Sequence, residues 1–361
     1  MLPQTRFFKA CLGIICILVI LLLLSKVSFL FKPVLLIFHI LIVPFILSGF
    51  LYYLLRPLVA YLCANQMKKT FAILFIYFVL MAVLILFLTL VWPTLQFQVK
   101  NFIEGAPLLI LAFQEQLTRF QQNRLFSAFL TNGTDFSKQL SDYLSHWITV
   151  ASNYVTHVIS FVTNFVIVVA TVPIILYYML KEGEQLPSYI LRLVPRRYRK
   201  DGREVMSDID SALSGFIVGR VIITLLLGVM MFIGFLLIGL PFSLLITVAA
   251  TILNLIPYIG PILGAVPVLI VAFAYSPGMV LWSLVVVLIA QQVEGSLLAP
   301  HIYGKRLDIH PLTTIVILLV AGDIAGILGV ILAIPLYMVV KILIARLYSL
   351  FLEEKVEELV E

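Results

Sequence analysis

The run "FAILFIYFVLMAVLILFLTLV", Phe71 to Val91, holds twenty-one residues without a single charge. The hydrocarbon core of a bilayer takes ~20 helical residues to cross. No water reaches that depth, so each backbone N–H and C=O must find its partner inside the protein, which for one continuous segment means a helix. Other apolar runs in the chain reach the same length. Of the 361 residues 62% are apolar and only 12% are charged, against about 25% charged in soluble domains. The sequence therefore reads as an all-α, polytopic integral membrane protein.

Hydropathy places helices near 7–25, 33–58, 70–92, 152–180 and 210–240. The N-terminal stretch, with Arg6 and Lys9 before Cys11 to Leu24, has the outline of a signal peptide. Its apolar part is long and lacks a small-residue cleavage site, so it reads as a retained first transmembrane helix. Cys11, Cys16 and Cys63 lie in or beside apolar helices, with no disulfide or metal spacing.

Two polar regions orient the set. Segment 181–210 carries seven basic residues, among them "RRYRK" at 196–200, whereas the longer segment 95–150 carries four. Basic loops stay on the cytoplasmic side. The net charge of +6 is thus a topology signal that meets anionic lipid, and it gives no reason to expect nucleic acid. The chain divides into 1–94, N-terminal transmembrane helices one to three; 95–150, an extracytoplasmic amphipathic helical cap; and 151–180, a fourth helix. A basic cytoplasmic loop, 181–210, follows, then a C-terminal transport core with broken helices, 211–347, and an acidic cytoplasmic tail, 348–361.

Within the core the helices fall short. Residues 242–257 and 261–275 would each make a helix of only about 22–24 Å. They meet at "NLIPYIGPILG", Asn254 to Gly264, where prolines remove helix donors and glycines weaken the helix. The stretch 312–346 is too long for one crossing and is split by "AGDIAG". It fits one tilted helix with a break, or a re-entrant segment followed by a full span. "IGPILG" at 259–264 echoes "IAGILG" at 324–329, and each follows an apolar half-helix that begins at a proline, Pro241 or Pro311. Paired interrupted segments of this kind point to a transporter's binding site.

Polar groups at membrane depth cost on the order of 2.5–3.5 kcal/mol when charged, so each asks for a role. Arg220, three turns into the fifth helix, either snorkels to the interface or faces a pathway. Gln291, Glu294, Gly295 and Leu298 share one face of the 278–298 helix, with Gln292 beside them. Asp323 lies inside the last apolar stretch between Gly322 and Gly326, and Asn254 is its neutral counterpart. The candidate transport pathway is therefore Arg220, Asn254, Pro257, Gly260, Pro261, Gly264, Gln292, Glu294, Pro311, Asp323 and Gly326.

Catalysis has little support. "LVAGD" at 319–323 lacks the first glycine of the GxGD pattern of aspartyl intramembrane proteases, and no second helix supplies a central Asp to share a proton. Neither HExxH nor a phosphate-binding GxxxxGK[ST] loop occurs. No catalytic residue, metal or cofactor is expected. A secondary transporter or channel is left.

"NLIPYIGPILGAVP", "QQVEGSLLAPHIYGKRLDIHPL" and "GDIAGILGVILAIPL", with "PFILSGFLYYLLRPLV" and "YYMLKEGE", resemble the autoinducer-2 exporter (AI-2E) family of bacterial membrane permeases over nearly the whole chain. The resemblance implies about eight transmembrane helices, both termini in the cytoplasm, residence in the cell membrane and a homo-oligomer such as a pentamer. It implies export of a small polar solute, or alternatively Na+(Li+)/H+ antiport. A remote third option is a non-transporting membrane scaffold. Two positions depart from the family pattern: Arg220 stands where glutamine is usual and Ser296 where asparagine is. The extra cation suits an anionic or neutral polar solute better than cation antiport.

Overall fold

The computed structural model describes residues 13, 15, 19, 28–121, 168, 170–303 and 309–360. Most of the first helix, the cap beyond Gln121, the start of the fourth helix and residues 304–308 lie outside the described residues. Among those described, every regular element is helical. Five stretches are long and apolar enough to cross a membrane: Ile40–Ala64, Lys69–Gly105, Arg196–Leu237, Pro277–Tyr303 and Leu328–Ser349. Three shorter apolar helices, Ser243–Leu253, Ile259–Tyr275 and Pro311–Gly326, accompany them. The chain is an all-α, multi-pass membrane protein with interrupted helices in its C-terminal half.

Helix α1 (Ser28–Ala64) ends where Gln66 takes a left-handed φ of 67°. Helix α2 (Lys69–Leu86) runs through a π turn, Phe87–Val91, into α3 (Trp92–Gln121). Pro93 has no N–H to give to the carbonyl four residues back, and Thr89 Oγ1 donates to Ile85 O at 2.9 Å, so the ladder widens there. The helical backbone therefore runs without interruption across the 94/95 boundary into the segment read as a helical cap. Hydropathy falls beyond Val91 while the helical backbone continues.

The first helices meet helix α4 (170–182) through Tyr52, Leu55 and Val59 of α1, Ala72, Ile73 and Ile76 of α2, and Leu176 and Leu180 of α4. The spacing of three and four along each helix puts these side chains on one face. Short helix α5 (Leu186–Leu193) leads into α6 (Arg199–Leu237), which starts eleven residues before the hydropathy boundary at 210. Helices α7 (Ser243–Leu253), α8 (Ile259–Tyr275) and α9 (Pro277–Val293) follow. The central core joins Ile223, Leu227, Met231 and Phe235 of α6 to Ile246 and Ala250 of α7, Val268, Val271 and Ala272 of α8, and Val287 and Ala290 of α9. From α9 a π turn, Glu294–Leu298, leads into α10 (Ala299–Tyr303). Helix α11 (Pro311–Val360) closes the described chain and packs Ile334 and Met338 on Phe216 and Ile217 of α6.

Both interruptions are real breaks. In the first, α7 and α8 form an antiparallel hairpin, with Gly260 against Leu253 and Gly264 against Ala250. A Cβ at Gly260 would lie 2.2 Å from Leu253 O, so only glycine permits that approach. In the second, Ala325 (φ −134°, ψ 16°) and Gly326 (φ 59°, ψ −143°) leave the helix within α11. Residues eight apart in a straight helix are separated by about 12 Å. Here a Cβ at Gly329 would lie 2.0 Å from Ala321 O, so the chain bends sharply. Both arrangements expected for 312–346 contain a break, and the kink lies at Ala325–Gly326, within "AGDIAG". The echoed hexapeptides share this feature: the last glycine of each packs against an alanine of the preceding half-helix, Ala250 or Ala321.

Ion pairs tie the basic end of the molecule together. Arg56 of α1 reaches Asp210 of α6 at 2.7 Å, Lys69 of α2 reaches Glu184 at 3.0 Å, and Arg346 of α11 reaches Glu204 and Asp208 of α6 at 3.2 and 3.4 Å.

Candidate functional site

The turn between α7 and α8 is built by its sequence. Helix α7 stops at Leu253 because Pro257 lies ahead and cannot carry the ladder on. Tyr258 then takes φ 65°, ψ −48°, and Ile259 N donates to Pro257 O at 2.8 Å. That is a γ-turn of the strained, positive-φ kind, which persists only where the surroundings hold it. Helix α8 restarts at Ile259, with Pro261 in its first turn, where a missing N–H costs nothing. A helix that ends this way leaves its last carbonyls without intrahelical donors.

Arg220 takes them. From the middle of α6 its Nη2 donates to Asn254 O and its Nε to Leu255 O at 3.4 Å. Its Nη1 donates to Glu294 Oε1 at 2.8 Å. Glu294 opens the π turn after α9, and its Oε2 accepts from Asn254 Nδ2 at 3.5 Å. The Arg220 side chain is 6% exposed and that of Glu294 14%. A buried ion pair is tolerated only when further hydrogen bonds satisfy both partners, and here two backbone carbonyls and an amide supply them. Asn254 Oδ1 is buried with no hydrogen-bond partner among the described residues.

These groups border a cavity of about 500 Å³. Arg220, Pro257, Pro261 and Glu294 line it, together with Tyr258, Gln291, Tyr303 and Thr314, among others. The Tyr303 ring stacks on Phe216 at 6.3 Å. The cavity thus joins α6, the α7–α8 turn, the end of α9, α10 and both halves of α11. It has the size of a small-molecule site, with apolar walls and a few convergent polar groups.

The remaining candidates lie elsewhere. Gly260 and Gly264 hold α8 against α7 and so fix the turn. Gln292 Nε2 donates to Ser296 Oγ at 2.8 Å on an exposed face, and Gln291 points to the cavity instead. Pro311 starts α11 one turn before the cavity-lining Thr314. Asp323 is exposed and, with Gly326, belongs to the second break; neither lines the cavity. Sequence reasoning missed Tyr258, Tyr303 and Thr314. Of these only Tyr258 carried a local signal, its place between Pro257 and Gly260. Among the described residues no three metal-ligating side chains come together.

Comparison with known proteins adds a second line of evidence. The family model described as AI-2E family transporter matches residues 9–349. Two Bacillus subtilis proteins named "Putative transport protein" are similar over most of their length. YueF is 35% identical over 96% of both chains, and YrrI is 30% identical over 91% of this chain and 93% of its own. PerM of Escherichia coli K12, named "Putative permease", is 30% identical over 48% of this chain and 49% of its own.

Proposed function

The chain belongs to the AI-2E family of transporters, and on that premise we propose that it is a secondary transporter exporting a small polar solute through the Arg220–Glu294 cavity. The observation that carries this reading is the cluster itself: a guanidinium, a carboxylate and two freed carbonyls buried beside a cavity where a helix is broken. Broken helices supply backbone polarity at membrane depth only where they are buried in protein or line a path for solute. The protein sits in the cell membrane with both termini in the cytoplasm, as the basic segment 181–210 favours. It works as a homo-oligomer and acts as a permease without catalysis.

The geometry favours a neutral or anionic solute over cation antiport. An alkali cation binds where carbonyl and carboxylate oxygens converge, and at this point that place is filled by the Arg220 guanidinium. Arg220 is in effect a tethered cation. Free Na+ or Li+ would have to displace it, and the pair with Glu294 leaves the site without net charge. A transport screen of the purified protein in liposomes, with and without imposed proton and sodium gradients, tests the reading. Export of a polar solute without a sodium requirement supports it; sodium-driven proton movement with no solute flux would replace it with antiport.

A further inference from the structure

Between α4 and α6 lies a surface that does not line the Arg220–Glu294 cavity. Helix α5 carries Leu186, Tyr189, Ile190 and Leu193, at i, i+3, i+4 and i+7, on one face. All four are exposed, Leu193 by 87%. The opposite side of the helix is committed to the protein. Leu191 is buried against Gly202 of α6, and Arg199 Nε donates to Val194 O at 3.0 Å. The helix is therefore held rigidly with its apolar stripe outward.

Charge surrounds that stripe. From 186 to 203 there are six basic residues, Arg192, Arg196, Arg197, Arg199, Lys200 and Arg203, against the single acid Asp201. Arg192 lies 5.5 Å over the Tyr189 ring and Arg197 5.4 Å over that of Tyr198, so two aromatic rings carry cations on their faces. Pro187 lies in its first turn and Pro195 follows its end, which keeps it a separate unit. Its neighbours in the chain are α4 and Arg196–Leu237, a helix long and apolar enough to cross a membrane.

We propose that α5 and the basic turn after it form a membrane-interface foot that binds anionic lipid headgroups, with Leu186, Tyr189, Ile190 and Leu193 immersed at the acyl boundary. An amphipathic helix with a basic flank lies in the interface plane in this way, and its attraction depends on lipid charge. The charge of this surface complements a phosphate-rich layer. Because α5 is fixed to the start of α6, the lipid surface also holds the cytoplasmic end of the helix that bears Arg220.

The test is spin-label accessibility on the full-length protein in nanodiscs. Labels are attached through Leu193→Cys or Ser188→Cys on a background in which Cys11, Cys16 and Cys63 are replaced by serine. Discs contain phosphatidylcholine alone or mixed with phosphatidylglycerol. In the anionic discs the label at 193 is expected to favour oxygen, and the label at 188 to favour a water-soluble nickel chelate. Neutral discs, or Arg196→Gln with Lys200→Gln, should remove most of the oxygen preference at 193. Three results would overturn the proposal: a nickel preference at 193 in anionic discs, low access to both reagents, which marks a protein partner on this face, or equal insertion in neutral lipid.

Discussion

Arg220 Nη1 stands 2.8 Å from Glu294 Oε1, although the two residues are 74 positions apart in the chain. This pair joins the middle of α6 to the end of α9 across the carbonyls of the broken α7–α8 turn. Removing one partner leaves the other charge buried. Glu294→Gln and Arg220→Met should each destabilise the protein by about 3 kcal/mol, while the double variant should lose less than the sum. Thermal unfolding of the purified variants in detergent checks this. Additive losses would mean that the pair does not act as a unit.

The tight hairpin makes a second, sharper demand. A methyl group at Gly260 would meet Leu253 O at 2.2 Å, whereas at Gly215 nothing lies within 4 Å. Gly260→Ala should cost about 1–3 kcal/mol or more through forced displacement of α8 from α7. Gly215→Ala, in the interior of α6, should be neutral or stabilise by up to ~1 kcal/mol. The same unfolding measurement on both variants separates local crowding from a general effect of glycine replacement.

At the basic end of the molecule the expected effects are small. The Arg56 and Asp210 side chains are 34% and 40% exposed. Screening by water leaves such a pair worth about 1 kcal/mol or less. Arg56→Ala should therefore lower the unfolding midpoint only slightly, and the difference from wild type should shrink as salt rises. A salt-independent loss would show that Arg56 contributes by packing over Tyr52, which it faces at 5.7 Å.

The two membrane carboxylates should separate in a transport assay. Glu294 lines the cavity, while Asp323 is exposed at the second break. Glu294→Gln should cut solute flux about tenfold or more, equivalent to ~1.4 kcal/mol on the barrier. Asp323→Asn should stay near wild type. The reverse ranking would move the route to the second break.

Much of this was legible because proline and glycine act locally. The breaks at Pro257–Pro261 and Gly322–Gly326, and the short half-helices beside them, follow from rules that need no neighbours. The shared face of Gln291, Glu294 and Gly295 was likewise visible, since helical periodicity alone sets it. The partner of Glu294 was not. Nothing in the sequence says that Arg220 turns inward to freed carbonyls in place of snorkelling, because that depends on how α6 crosses α7 and α9. That α2 continues through a π turn into α3, with no loop between span and cap, was also not legible, because hydropathy measures affinity for lipid and not helix formation. Helix α5 went unseen for a related reason: its loop was read only for charge.

Flux through proteoliposomes tests the central claim most directly. Wild type and Glu294→Gln, reconstituted at matched density, are compared on a panel of neutral and anionic small polar solutes without sodium. The account predicts that wild type moves at least one solute faster than protein-free liposomes do, and that Glu294→Gln loses most of that flux. Equal flux in the two proteins, or wild-type flux indistinguishable from empty liposomes across the panel, would contradict it.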